Sequence, residues 1–241
     1  MQSNSTPPWR NATGFVRTIS DLYPDLTTDT AQHGVYIQEA IDQLQERVGG
    51  VLPDEVVQFY RWYTPARWLD IVNPARLRES DRDQKIITLQ GEVVTPGHPR
   101  DVVENPLRIY AIDDDSVAVS TPETYDSSFM DNVVWLIERG TLGQEWLTTP
   151  MFRFGRSDYG EDLLYLLDPP ADATGRVCML KLDDNPLLFL EETLTAWVAK
   201  LICCSGFEMA YSPGDLDELP EPHRSWCTEE FKRLNPRSTW L

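Results

Sequence analysis

Few side chains in this sequence have the type and spacing that catalysis or metal binding requires. The three histidines, His33, His98 and His223, each stand in a loop-like stretch, and none has a second ligand at the spacing of a zinc site. Cys178, Cys203, Cys204 and Cys227 include no Cys-X-X-Cys pair. Cys204 and His223 could act as nucleophile and base only if the fold joined them, and no nucleophile elbow surrounds Cys204. Asp113-Asp114-Asp115 lacks the alternating ligands, central glycine and closing glutamate of a calcium loop. The stretch from Gly155 to Gly160 has no following lysine and leads into a strand, so it does not read as a phosphate cradle. Arg156 is expected to pair with Asp158 or Asp162. Glu161 and Asp162, adjacent in extended chain, point to opposite faces and cannot act on one bond as acid and base. The residues therefore predict no enzyme, no cofactor and no metal.

What they do offer is a charged surface. Lys plus Arg number 21 against 39 Asp plus Glu, a net charge of −18 that repels phosphate backbones and anionic lipid. Between Asp101 and Trp135 lie eight acids and a single base, Arg108. A solubility face accounts for such a run. The sharper reading is a docking surface for a cationic protein, because complementary charge speeds encounter and excludes wrong partners. Asp113, Asp114, Asp115, Asp158 and Glu161 would supply its charge, and Tyr110, Tyr125 and Tyr159 its aromatic anchors.

The elements that would position these residues centre on a hairpin. Met151, Phe152 and Phe154 read as one strand, Leu163 to Leu167 as a second and more deeply buried one, with Gly155 to Asp162 as the polar turn between them. Pro169 and Pro170 stop the second strand. Further strands are predicted at Ile86 to Leu89, Val93 to Val94, Leu107 to Ile112, Ser116 to Val119, Val133 to Ile137 and Val177 to Leu180, with Asp113 to Asp115 as a hairpin turn. Upstream, Ile37, Ile41, Leu44 and Val48 form one helical stripe that Gly49 and Gly50 end. Pro53 suits the first turn of a second helix, whose dipole Asp54 and Glu55 complement and whose apolar side is Val56, Phe59, Tyr60 and Tyr63. Leu194, Trp197, Val198, Leu201 and Ile202 predict a closing helix.

Leu52-Pro53, Phe154-Gly155, Gly160 to Asp162 and Gly175 to Val177 together make the span from Tyr36 to Ile202 resemble the SUKH superfamily. That superfamily includes bacterial immunity proteins of polymorphic toxin systems and fungal cell-wall-assembly regulators. Thr64-Pro65 departs from the glycine-bearing turn common there after the second helix. The resemblance implies an α+β fold, a mixed and mostly antiparallel curved sheet with helices packed on one side, over residues 35–205. Residues 1–34 read as an arm lying on that domain. Residues 206–241 read as an acidic linker, with five acids and three prolines between Ser205 and Pro222, and a short last helix holding Trp226, Phe231 and Leu234. The resemblance also implies a non-enzymatic protein binder, foremost an immunity protein for a basic toxin domain, with a scaffold or regulator of a signalling or envelope pathway as the alternative; a hydrolase with an unrecognised site is the remaining reading, from a different class. No apolar run spans a bilayer, the amino terminus lacks signal-peptide regions, and the cysteines read as small buried hydrophobes, so the expected location is cytoplasmic.

Overall fold

The computed structural model describes residues 6–22, 34–64, 68, 86–87, 93–94, 107–157, 160–181, 187–203 and 222–238. Its centre is the hairpin of β5 (Met151–Ser157) and β6 (Asp162–Leu166), both buried along almost their whole length. A strand covered on both faces must be apolar on both, which is why Leu163-Leu164-Tyr165-Leu166 shows no polar alternation. Beyond β6 the sheet continues through β7 (Val177–Leu180) to β8 (Leu187–Glu191). On the other edge of β5 lie two short strands in line, β3 (Leu107–Ile109) against Gly155–Ser157 and β4 (Ala118–Ser120) against Met151–Arg153. Every pairing in this open six-stranded sheet is antiparallel. A separate two-stranded ribbon joins β1 (Ile86–Ile87) to β2 (Val93–Val94).

Side-chain alternation splits the core in two. One face carries Phe152, Phe154, Leu163, Tyr165, Val177, Met179, Leu188 and Leu190. Against it pack α1 (Phe15–Leu22), α2 (Gly34–Val48), α3 (Asp54–Trp62) and α5 (Leu194–Cys203). The other face carries Met151, Leu164, Leu166, Cys178 and Leu180, covered by α4 (Ser127–Glu138), by Trp146 of a short 3-10 turn and by Leu234 of α6 (His223–Leu234).

Helices cover both faces of the sheet and not one side alone, and two further expectations are corrected here. Val133 to Ile137 is not a strand but the second half of α4. Asp126 caps that helix, its carboxylate accepting the Ser128 N–H at 2.9 Å, and Phe129, Met130, Val133 and Leu136 fall on one helical face that is wholly buried. Asp113 to Asp115 is not a hairpin turn either, because β3 and β4 both pair with β5 and not with each other. The aspartates form the tip of a loop that leaves the sheet edge after Ile109 and rejoins it at Ala118. Two elements also went unread. Phe15 and Ile19 put one side of α1 into the core, and β8 forms the far edge of the sheet.

The joint between α2 and α3 follows its residues closely. Gly49 adopts φ +70°, and the Gly50 N–H reaches the Gln45 carbonyl at 3.1 Å, closing α2 in the left-handed turn that glycine accepts. Leu52 is buried, and Pro53 stands just before α3, its carbonyl accepting from Val56 and Val57. Glu55 does more than face its own helix dipole. Its carboxylate accepts the Tyr165 hydroxyl at 2.7 Å and the backbone N–H of Thr195 at 3.0 Å, so it ties β6 to the start of α5. Leu52→Ala is expected to lower stability by about 2 to 5 kcal/mol, the range for emptying a well-packed core position. An unchanged urea midpoint would show that this joint does not carry the packing of α2 on α3.

Candidate functional site

Where the covering layer stops, the second sheet face turns from apolar to charged. Cross-strand partners share a face, so the register Arg108↔Arg156 and Arg156↔Asp162↔Leu180 sets one row across four strands. The neighbouring row holds Ala118, Arg153, Leu164 and Cys178. Arg108, Arg153 and Arg156 thus rise from the same face that α4 covers further along. With Tyr110, Ser116, Ser157 and Gly160 they line an open cleft of about 640 Å³.

The floor of this cleft is fixed. Arg153 is nearly buried and donates through Nε and Nη2 to the Ser116 carbonyl, at 3.2 and 3.1 Å, and through Nη1 to Asp162 at 3.3 Å. It thereby pins the loop carrying the three aspartates to the sheet. A register shift between Arg153 and Gly155 frees the backbone there to bend. Gly155 is required for the approach, since a Cβ on it would lie 2.7 Å from the Arg108 carbonyl. Gly160 holds φ +86°, and its carbonyl accepts from Arg156 Nε at 3.0 Å. Arg156 also lies 3.7 Å from Asp162, the second of the two partners expected for it. Burial pushes the Asp162 carboxyl above its ordinary range, while Arg153 and Arg156 pull it back.

Tyr110 is part of this floor and not an exposed anchor. Its ring is buried, and the guanidinium carbons of Arg108 and Arg153 stand 5.6 and 5.7 Å from its centroid. Burial raises the phenol above its usual titration range, so the hydroxyl stays protonated at neutral pH. Asp113 and Asp115 are exposed at the loop tip. Asp114 turns inward: Oδ1 accepts the Ser116 N–H at 2.8 Å, and Oδ2 stands 3.9 Å from Arg108. Glu161 is held by Lys181 at 2.9 Å and by the Ser157 hydroxyl at 2.6 Å. Asp158 and Tyr159 lie outside the described residues, as do His33, His98 and Cys204. His223 stacks edge-on against Trp226 at 5.5 Å.

A second surface gathers on α4. Tyr125 is 57% exposed, and its hydroxyl donates to Asp131 at 2.6 Å, a bond that pushes the phenol up to about 12. One turn on from Asp131, Trp135 is also exposed, with the Arg139 guanidinium 4.5 Å above its ring. Glu123, Asp131 and Glu138 are exposed around these rings. Tyr125 and Asp131 are therefore brought together, whereas Asp114 belongs to the cleft, beside Arg108. Sequence reasoning missed Trp135 because it was placed in a strand. Read at helical spacing, it falls out of phase with Phe129, Val133 and Leu136 and so points to solvent.

Among the described residues no group of three or more His, Cys, Asp or Glu side chains could hold a metal ion, and no helix is long and apolar enough to cross a membrane. No family model matches the sequence, and no curated protein or solved structure is significantly similar to it.

Proposed function

We propose that this chain is a non-enzymatic protein-binding domain of SUKH type, an immunity protein that neutralises a cationic toxin domain in the cytoplasm. The reading rests on one observation: two aromatic rings, Tyr125 just before α4 and Trp135 on it, are exposed among carboxylates on a chain of net charge −18. Tyrosine and tryptophan are the side chains that anchor protein interfaces, and acids at the rim steer a basic partner to them. The same charge works against nucleic acid and anionic membrane as partners. Cys178 and Cys227 are packed as buried thiols, which suits a reducing compartment.

The test is capture of the toxin domain encoded beside this chain, followed by stopped-flow mixing at increasing salt. The association rate is expected to fall on the order of tenfold as ionic strength rises well past 0.1 M, where the screening length is about 10 Å. Tyr125→Ala and Trp135→Ala should each weaken binding by roughly thirtyfold, the effect of losing an anchor of about 2 kcal/mol. Parental protein that neither binds the neighbouring gene product nor protects cells from it would overturn the immunity reading. Binding that survives both aromatic substitutions would move the interface off α4.

A further inference from the structure

Arg108 and Arg156 stand directly opposite each other on β3 and β5, two like charges in a cross-strand pair. Such an arrangement destabilises a sheet, and here Arg153 adds a third guanidinium beneath it. Among the described residues, Asp114 and Asp162 are the carboxylates in contact with these three guanidinium groups. The donors are only partly used. Arg156 spends Nε on the Gly160 carbonyl, and among the described residues its two terminal nitrogens have no hydrogen-bond partner. Arg108 reaches Asp114 only at 3.9 Å, beyond hydrogen-bonding distance. Both side chains are about half exposed and front the 640 Å³ cleft, whereas Arg153 is locked in its floor.

We propose that this cleft binds a small molecule carrying a phosphate monoester, with Arg108 and Arg156 as paired forks on the phosphoryl oxygens and Arg153 as the fixed charge behind them. A guanidinium fork matches phosphate geometry with two parallel donors, and two forks meeting from adjacent strands would cover the oxygens of one phosphoryl group. A bound anion would relieve the opposition of Arg108 and Arg156 across the strand pair. The volume favours an ester over the free ion, because it falls in the range of pockets that hold whole small ligands. This site is separate in its residues from the α4 surface, so either can stand without the other.

Isothermal titration calorimetry at constant ionic strength, with AMP and inorganic phosphate as the two probes, tests the assignment. AMP is expected to bind saturably with a dissociation constant below about 1 mM, and inorganic phosphate more weakly. Arg108→Gln and Arg156→Gln should each weaken AMP about tenfold or more, while Lys232→Gln, an exposed charge on α6, should leave it unchanged. The unliganded arginine variants should melt at or above the parental temperature, since each removes a like-charge contact; a purely structural role would lower the melt. Inorganic phosphate binding as tightly as AMP would overturn the ester assignment. No saturable heat with either probe, or arginine variants that bind AMP like the parent, would overturn the site.

Discussion

Trp197→Ala is expected to cost about 3 to 5 kcal/mol, which for a chain of this length corresponds to a fall in melting temperature of roughly 6 to 20 °C. Trp197 is 1% exposed and sits where three parts of the fold meet. Its ring lies edge-on to Phe154 of β5 at 5.5 Å and tilted against Trp68 at 5.6 Å. Truncation would empty the space between α5 and the sheet and strip both neighbours of an aromatic contact. Trp197→Phe should recover much of the loss because it keeps an edge for Phe154. A fall below 2 °C for the alanine variant in a calorimetric scan would place the core elsewhere than between α5 and β5.

The two strands of the central hairpin were the most legible part of the chain because burial on both faces leaves a mark that local propensity does not blur. Leu163 to Leu166 show no polar alternation, the mark of a strand buried on both faces. The helices α2, α3 and α5 declared themselves by period, and the joint between the first two by Gly49 and Pro53. The run Val133-Val134-Trp135-Leu136-Ile137 misled because β-branched and aromatic residues favour strand locally, while its helical phase shows only when Phe129 and Met130 are counted with it. Tertiary burial then decided in favour of the helix. The arginine cleft was not legible at all. Arg153 and Arg156 lie on one strand, but residues three apart in regular extended chain face opposite ways, and only the register shift between Arg153 and Gly155 puts both on one face, where the pairing of β3 with β5 adds Arg108. Tyr110, expected as an exposed anchor among acids, became its floor for the same reason.

Lys200→Met should cost about 3 to 5 kcal/mol at neutral pH, because it leaves the Glu191 carboxylate buried without its cation. Both side chains are almost fully enclosed, on α5 and β8, with Lys200 Nζ 3.5 Å from Glu191 Oε1 and 3.2 Å from the Leu190 carbonyl. Burial already raises the Glu191 carboxyl; Lys200 and Arg233 pull it down, and Glu230 adds to the rise. A carboxyl raised in the folded state binds its proton more readily folded than unfolded. Stability from this group is therefore complete below its unfolded value of about 4.3 and declines as pH climbs to the folded value. Glu230 acts in the opposite sense. Burial raises it, but the hydrogen bonds and charges of Arg233 and Arg10 outweigh that and lower it, so its contribution is lost as pH falls below the same unfolded value. Removing Lys200 takes away the main influence holding Glu191 down, so the loss in Lys200→Met should grow between pH 5 and pH 8 in urea titrations. Adding Glu191→Gln to Lys200→Met removes the stranded charge and should restore most of the stability and flatten that pH dependence. A double variant no more stable than Lys200→Met alone would show that Lys200 matters through the packing of its stem against β8 and not through the charge it neutralises.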